Sequence, residues 1–362
     1  MRGRPDFVLM IAVLVLLSIG TLVVFSASAP SALEVYGSPY HFLERQLTWA
    51  MLGILLMVVT ARIDYWRYVR GILPLFGLSV LLLILVLVPH IGKDINGSRR
   101  WLGFGPLILQ PSELAKLSMV FLFARLFSIH QGRLQDFWKG VVPHLLIGGL
   151  VFGLVIMEPD LGTTVALAGT FFVMLFVAGA RPRHLLGMAS AALPVLGAAI
   201  VAAPYRLQRV TAFLDPWKDP LGAGFHTIQG LLALGSGGIL GVGLGASRQA
   251  LGFLPEAYTD FAFAILGEEL GLLGTLTVVG LFLMLAWRGY RIAMRAPDLY
   301  GSLLATGITT MIALQAGINI GVVTDTLPVT GITLPFISYG GSSLVLSLAG
   351  IGILLNISRH AV

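Results

Sequence analysis

The 362-residue sequence contains no cysteine. That excludes disulfides, thiolate metal sites and a cysteine nucleophile. Charge is scarce too. Only 11% of the residues are charged and 57% are hydrophobic, whereas a soluble domain carries roughly 25% charged residues. So few charges cannot cover a water-exposed surface of this size, and the mean hydropathy of +0.91 points to lipid as the solvent. The seven histidines, at 41, 90, 130, 144, 184, 226 and 360, are too scattered for a local metal motif. Repeats, low-complexity tracts and linkers are missing, which indicates one membrane domain over 1–362. The net charge of +6 raises the thought of nucleic acid, but in a membrane protein it reflects loop bias, and no nucleic-acid partner is expected. The first apolar run is too long for a signal h-region and leads to no cleavage site before a soluble domain. It reads as a first span.

What is present is a series of apolar runs. A span needs roughly 20 apolar residues, and runs of that kind lie near 7–28, 43–61, 71–89, 111–128, 140–157, 161–179, 184–203, 261–287, 301–324 and 341–357. The expected fold is therefore all-α and polytopic, with about ten transmembrane helices and both termini on one side. Placing the N-terminus inside puts fourteen of the 23 basic residues in inside segments: Arg2, Arg4, Arg62, Arg67, Arg70, Arg125, Arg133, Lys139, Arg181, Arg183, Arg288, Arg291, Arg295 and Arg359. The inside acids are only Asp6, Asp64, Asp136 and Asp298. This satisfies the positive-inside rule and makes both termini cytoplasmic.

The remaining basic residues are Arg45, Lys93, Arg99, Arg100, Lys116, Arg206, Arg209, Lys218 and Arg248. Apart from Arg45 they fall in the connection into the fourth span and in the long extracytoplasmic segment 204–260, between spans seven and eight. Topology disfavours cations there, so an anionic ligand is the simplest explanation; pairing with the outer acids is the alternative. The segment 204–260 is long for a connection. Its glycine-rich stretch 235–247 suits an irregular piece packed on protein, because exposed irregular backbone is not tolerated in lipid.

Five segments carry chemistry. In Gln110-Pro111-Ser112-Glu113-Leu114-Ala115-Lys116, Pro111 suits the first helical position, Glu113 complements the helix dipole and Lys116 shares its face. Glu113 and Lys116 read either as a structural ion pair or as functional groups in a span. Glu158-Pro159-Asp160 makes a tight hairpin, with Asp160 a helix cap or a functional acid. Tyr205 to Trp217 interleaves arginine with aromatics, which suits membrane anchoring or anion binding. Asp260, in Thr259-Asp260-Phe261, opens an apolar run. It reads as an N-cap, or as a desolvated carboxylate whose raised proton affinity suits a general base. Glu268 and Glu269 lie deeper and are expected to hydrogen-bond to neighbouring helices. Gly340-Gly341-Ser342-Ser343 follows a turn and lets backbone approach a headgroup or another helix. The Gly241-x-Gly243-x-Gly245 string lacks the flanking strand and crossover helix of a nucleotide fold.

Taken together, NGSRRWLGFGPLILQPSELAKL, YRLQRVTAFLDPWKDPLGAGF, LPEAYTDFAFAILGEELGLLG and GITLPFISYGGSSL resemble the SEDS family (FtsW, RodA and SpoVE). Four long motifs in the right order cover nearly the whole chain. His41 to Gln46 and Gly331 to Pro335 are more similar to the FtsW/SpoVE branch than to RodA. Tyr258 stands where histidine is frequent, His226 where glutamine is, Ala262 where isoleucine is, and Asp325 where glycine is.

The resemblance implies a ten-helix peptidoglycan glycosyltransferase of the bacterial cytoplasmic membrane, acting in division or cell-shape maintenance. It would polymerise lipid II into β-1,4-linked strands on the outer face and work with a class B penicillin-binding protein. The family's essential aspartate falls on Asp260, its QPSE-x-x-K motif on Glu113 and Lys116, and its Arg-Trp pair on Arg100 and Trp101. Asp260 is then the expected catalytic base. Glu113, Lys116, Arg100, Arg206, Arg248 and Ser342 are the expected substrate contacts, with no metal ligand assigned. A divalent cation could share the pyrophosphate charge, although no dedicated site is readable. The rival classes are a lipid II flippase, which needs charges along a path reaching both faces, and a non-enzymatic scaffold for the transpeptidase.

Overall fold

In lipid, every backbone N–H and C=O must find its partner within the chain, and long apolar runs do so as helices. The computed structural model describes residues 3–95, 98–104 and 107–360. Asn96 and Gly97 of the first motif, and Gly105 and Pro106, lie outside the described residues, as do Arg2 and the last two positions. The helices are α1 (Phe7–Tyr36), α2 (His41–Arg62), α3 (Ile72–Leu87), α4 (Pro111–His130), α5 (Val142–Met157), α6 (Leu161–Val177), α7 (Pro182–Val201), α8 (Pro204–Leu214), α9 (Phe225–Ser236), α10 (Ala262–Met294), α11 (Leu299–Val323) and α12 (Gly341–Ser358).

Eight helical stretches are long and apolar enough to cross a membrane: α1, α2, Tyr65–Leu87, Phe137–Met157, α7, α10, α11 and α12. The apolar α6 is shorter, at 17 residues. The twenty-residue α4 carries Glu113, Lys116 and Arg125, and it tolerates the first two because most of the helix is sheathed by protein. With α4 and α6, the ten spans expected from the sequence are accounted for. The centre of the bundle is α11 and α12, each with 78% of its apolar window buried, while α7 stands at the periphery with 6%.

Both termini meet on one face. Gly3 N–H donates to Arg359 O at 2.8 Å, and Arg288 pairs with Asp6 at 2.7 Å. On the opposite face, α3 runs into an antiparallel sheet of β1 (Gly92–Ile95), β2 (Ser98–Phe104) and β3 (Leu107–Leu109), in the order β1-β2-β3. This sheet adds to the all-α bundle that the sequence led us to expect. It holds Arg100 and Trp101 on β2, with Trp101 opposite Lys93.

The glycine-rich stretch 235–247 is tied to α10 by its backbone. The helix α10 is broken at Gly271, whose φ of 64° is the left-handed region open to glycine. The break frees backbone groups, and the glycine-rich stretch takes them up. Val242 and Gly243 N–H donate to Glu268 O and Glu269 O at 3.0 and 3.1 Å, and Leu272 N–H donates to Gly238 O at 2.9 Å. The Glu268 carboxylate accepts from Arg248 N–H at 3.0 Å, from Gln249 N–H at 3.3 Å and from the Ser247 hydroxyl. Glu269 accepts from Gly245 N–H at 3.1 Å and from Ser26 of α1. The two deep acids are thus fastened to a neighbouring helix and to the loop, as hydrogen-bonding groups.

Candidate active site

The segment that introduces α10 delivers Asp260. The helix starts only at Ala262, its N-cap is Phe261, and no side chain caps it. Asp260 is therefore not spent on an N-cap. Among the described residues its carboxylate makes no hydrogen bond and no ion pair. Desolvation, reinforced by Glu256, pushes its proton affinity up to about 7, against the opposing pull of Arg100 and Arg209. Its backbone is held more firmly than its side chain: Asn319 of α11 donates to Asp260 O at 2.8 Å.

Arg100 reaches the same place from β2. It is buried, and it donates through Nε to Glu158 O at 3.0 Å and through Nη2 to Pro159 O. Its Nη1 lies 3.6 Å from Asp160 Oδ2. Asp160 in turn caps α6, accepting from Thr163 N–H at 3.0 Å and from the Thr163 hydroxyl at 2.9 Å. The cap reading of Asp160 is therefore correct, and an ion pair is added to it. A methyl group placed on Gly331 would meet Asp260 Oδ2 at 3.4 Å and Arg100 Nη1 at 3.7 Å. Acid and cation both neighbour that one backbone position.

Lys116 and Glu113 form the second cluster. The first turn of α4 puts them on one face, with Nζ 2.8 Å from Glu113 Oε1 and both side chains buried. Lys116 also donates to Gln315 Oε1 at 2.5 Å. The Gln315 amide donates onward to Thr333 O at 3.0 Å. Asn319, one turn further along α11, donates to Ile332 O at 2.7 Å. The pair and Asp260 therefore lean on the same stretch, 331–333.

The other expected contacts lie apart from this point. Arg206 donates to Ala199 O at 2.8 Å and Ile156 O at 3.1 Å, tying the ends of α7 and α5 together. Ser342 accepts from Gln110 N–H at 3.3 Å and donates to Ile108 O at 3.1 Å, joining α12 to the start of α4. Arg248 is exposed, and its backbone is the part held by Glu268.

Three further groups had not been singled out from the sequence as site residues. Arg209 acts electrostatically on Asp260 and donates to Val329 O at 3.3 Å. Glu256 is the nearest acid in effect. Glu158 is fully buried, with both carboxylate oxygens lacking a hydrogen-bond partner among the described residues. Desolvation first, then Asp160, lifts its proton affinity to about 9. His226 stacks on Phe261 with centroids 5.9 Å apart. Asp325 has φ 54°, the left-handed region that glycine enters most freely.

Comparison with known proteins places this arrangement. Residues 7–362 match the FtsW/RodA/SpoVE family, described as "Cell cycle protein". The chain is 48% identical to stage V sporulation protein E of Bacillus subtilis, over 99% of this chain and 98% of that protein. It is 42% identical to a probable peptidoglycan glycosyltransferase FtsW of Geobacter metallireducens, over 99% and 95%. Among solved structures it is similar to a chain of a peptidoglycan synthase complex described as coordinating polymerization and crosslinking, with 34% identity, 98% of both chains covered and a TM-score of 0.80. RodA of Thermus thermophilus gives 32% identity, 98% and 97% coverage and a TM-score of 0.72.

Proposed function

Since the chain belongs to the FtsW/RodA/SpoVE family, we propose that it is a peptidoglycan glycosyltransferase whose general base is Asp260. The observation that carries the assignment is the unpaired carboxylate. It is desolvated to a proton affinity near 7, capped by nothing and faced by Arg100. A base of that affinity is half-charged at working pH and strong enough to take a hydroxyl proton in a transition state.

The substrate is lipid II, a disaccharide-peptide on undecaprenyl pyrophosphate. Asp260 takes the proton of the GlcNAc 4-hydroxyl of the incoming molecule. The oxygen attacks the anomeric carbon of the growing strand's terminal MurNAc. The C–O bond to pyrophosphate breaks with inversion, so an α-linked donor becomes a β-1,4 link. The developing negative charge falls to preorganised cations. Arg100 is fixed by three neighbours, and Lys116 is fixed by Glu113 and Gln315. Arg248 offers an exposed guanidinium for the approaching pyrophosphate. Arg206 and Ser342 contribute by holding helix ends.

The basic residues of the sequence support a location in the bacterial cytoplasmic membrane, with the termini inside and Asp260 outside. The likeness to a synthase complex supports a class B penicillin-binding protein as partner. Purified protein, given lipid II in detergent with and without that partner, tests the proposal. Glycan chains that depend on this chain support it. Lipid II translocation in vesicles without polymer would make it a flippase. Polymer that is insensitive to the chain's own residues would leave it a scaffold.

A further inference from the structure

The backbone of 331–333 has no regular structure, yet it runs beside both Asp260 and Arg100. Two amides on α11 hold it. Asn319 is 1% exposed, and its Nδ2 donates both to Asp260 O at 2.8 Å and to Ile332 O at 2.7 Å. Two carbonyls facing one atom fix that atom as the amide nitrogen, because an oxygen could not donate to either. Gln315 is 2% exposed and four residues earlier, so it shares the face of the helix. Its oxygen accepts from Lys116, and its nitrogen donates to Thr333 O. One rigid helix face thus grips the backbone of the base, the backbone beside base and cation, and the second cation.

Resting on the reading of Asp260 as base, we propose that Asn319 and Gln315 are positioning residues that set the spacing between Asp260 and the cations Arg100 and Lys116. Gly331 is the spacer: its φ is +80°, and a Cβ built on it would lie 3.4 Å from Asp260 Oδ2 and 3.7 Å from Arg100 Nη1. Arg100 is anchored to the 158–160 turn and cannot move far. The distance is therefore governed by where α11 holds the other side.

The proposal separates by sign. Asn319→Ala releases Asp260 and the spacer, and the carboxylate relaxes toward Arg100. A closer cation favours the charged form, so the rising limb of the rate against pH moves to lower pH. Gly331→Ala puts a methyl group in van der Waals contact with both groups; it takes water from the carboxylate, and the added desolvation moves the limb to higher pH. For Asn319→Ala, a change of one or two ångströms at an effective dielectric near 20 corresponds to about half a pH unit. The other groups acting on Asp260 are Glu256 on its own segment, Arg209 on α8 and Asp160 at the 158–160 turn. The α9 residue stacked on its neighbour is His226. Neither substitution changes the charge of any of these groups.

The test is initial rates of lipid II polymerisation from about pH 5 to about pH 9 for the wild type and both variants, with thermal unfolding alongside. The expected result is kcat down about ten-fold or more with KM within a few-fold, and limbs displaced in opposite directions. Unmoved limbs in both variants, with activity lost in step with folded protein, would make the amides structural only and overturn the proposal. If Asn319→Ala does not fold, the acid displacement read in Asn319→Ser decides it. A wild type that polymerises nothing would instead sink the glycosyltransferase reading.

Discussion

The pair Glu113–Lys116 separates fold from chemistry, because the two consequences of losing it differ in kind. Lys116 is 3% exposed and Glu113 is 6% exposed. Lys116→Met removes the ammonium, leaves Glu113 as an uncompensated buried charge, and strips Gln315 Oε1 of its donor. Breaking a buried pair from one side costs roughly 3–5 kcal/mol, mostly the desolvation of the partner left behind. Glu113→Gln in the same chain removes that penalty. The double variant should regain most of the stability, since replacing both partners of a buried pair is often neutral. If Lys116 stabilises the departing pyrophosphate, the regained fold stays slow. Loss of one preorganised donor is worth about 10²–10³ in kcat. The assay is thermal unfolding in detergent beside lipid II polymerisation for both variants. A double variant that is stable and polymerises near the wild-type rate would refute the role of Lys116 in the reaction and leave the pair structural.

Other consequences follow from the same geometry. The polymerisation rate should rise with pH through about 7, because Asp260 must lose its proton to act and desolvation lifts its affinity to about 7. A plateau from about pH 5 upward would contradict this. Glu158→Gln should stabilise the protein near neutral pH. The folded-state affinity is raised to about 9, so the wild type must take up a proton on folding and loses stability as pH climbs from the unfolded value of about 4.5 toward 9. The gain should reach a few kcal/mol at neutral pH and vanish near pH 4. Unfolding measured at both pH values reads it.

How much of this was legible beforehand varies by residue. The spans were legible because lipid allows one local solution to an apolar run. Even α4 was found, although Glu113 and Lys116 make it poor by hydropathy alone. The sheet was missed. Its strands are short and sit between two spans, although the sequence pair Asn96-Gly97 between β1 and β2 is a common hairpin dipeptide. Asp260 could be picked out because apolar residues follow it at once. Arg206 and Arg209 show the limit. They are three residues apart on one short helix, and both are arginines of the basic segment 204–260. Only the fold shows that Arg206 ties helix ends while Arg209 acts on Asp260. Asn319 and Gln315 were not singled out from the sequence, since no local pattern sets them apart from other polar residues of a span. Their importance comes from the loop returning to them after α11 ends, a long-range fact that no local pattern encodes.

The central claim is that Asp260 removes the proton. Glycan synthesis from purified lipid II by the Asp260→Ala protein measures this most directly, with folding verified by an unchanged unfolding midpoint. The account predicts a loss of about 10²–10⁴ in rate, the worth of a positioned general base. Substantial glycan synthesis by the folded variant would contradict it.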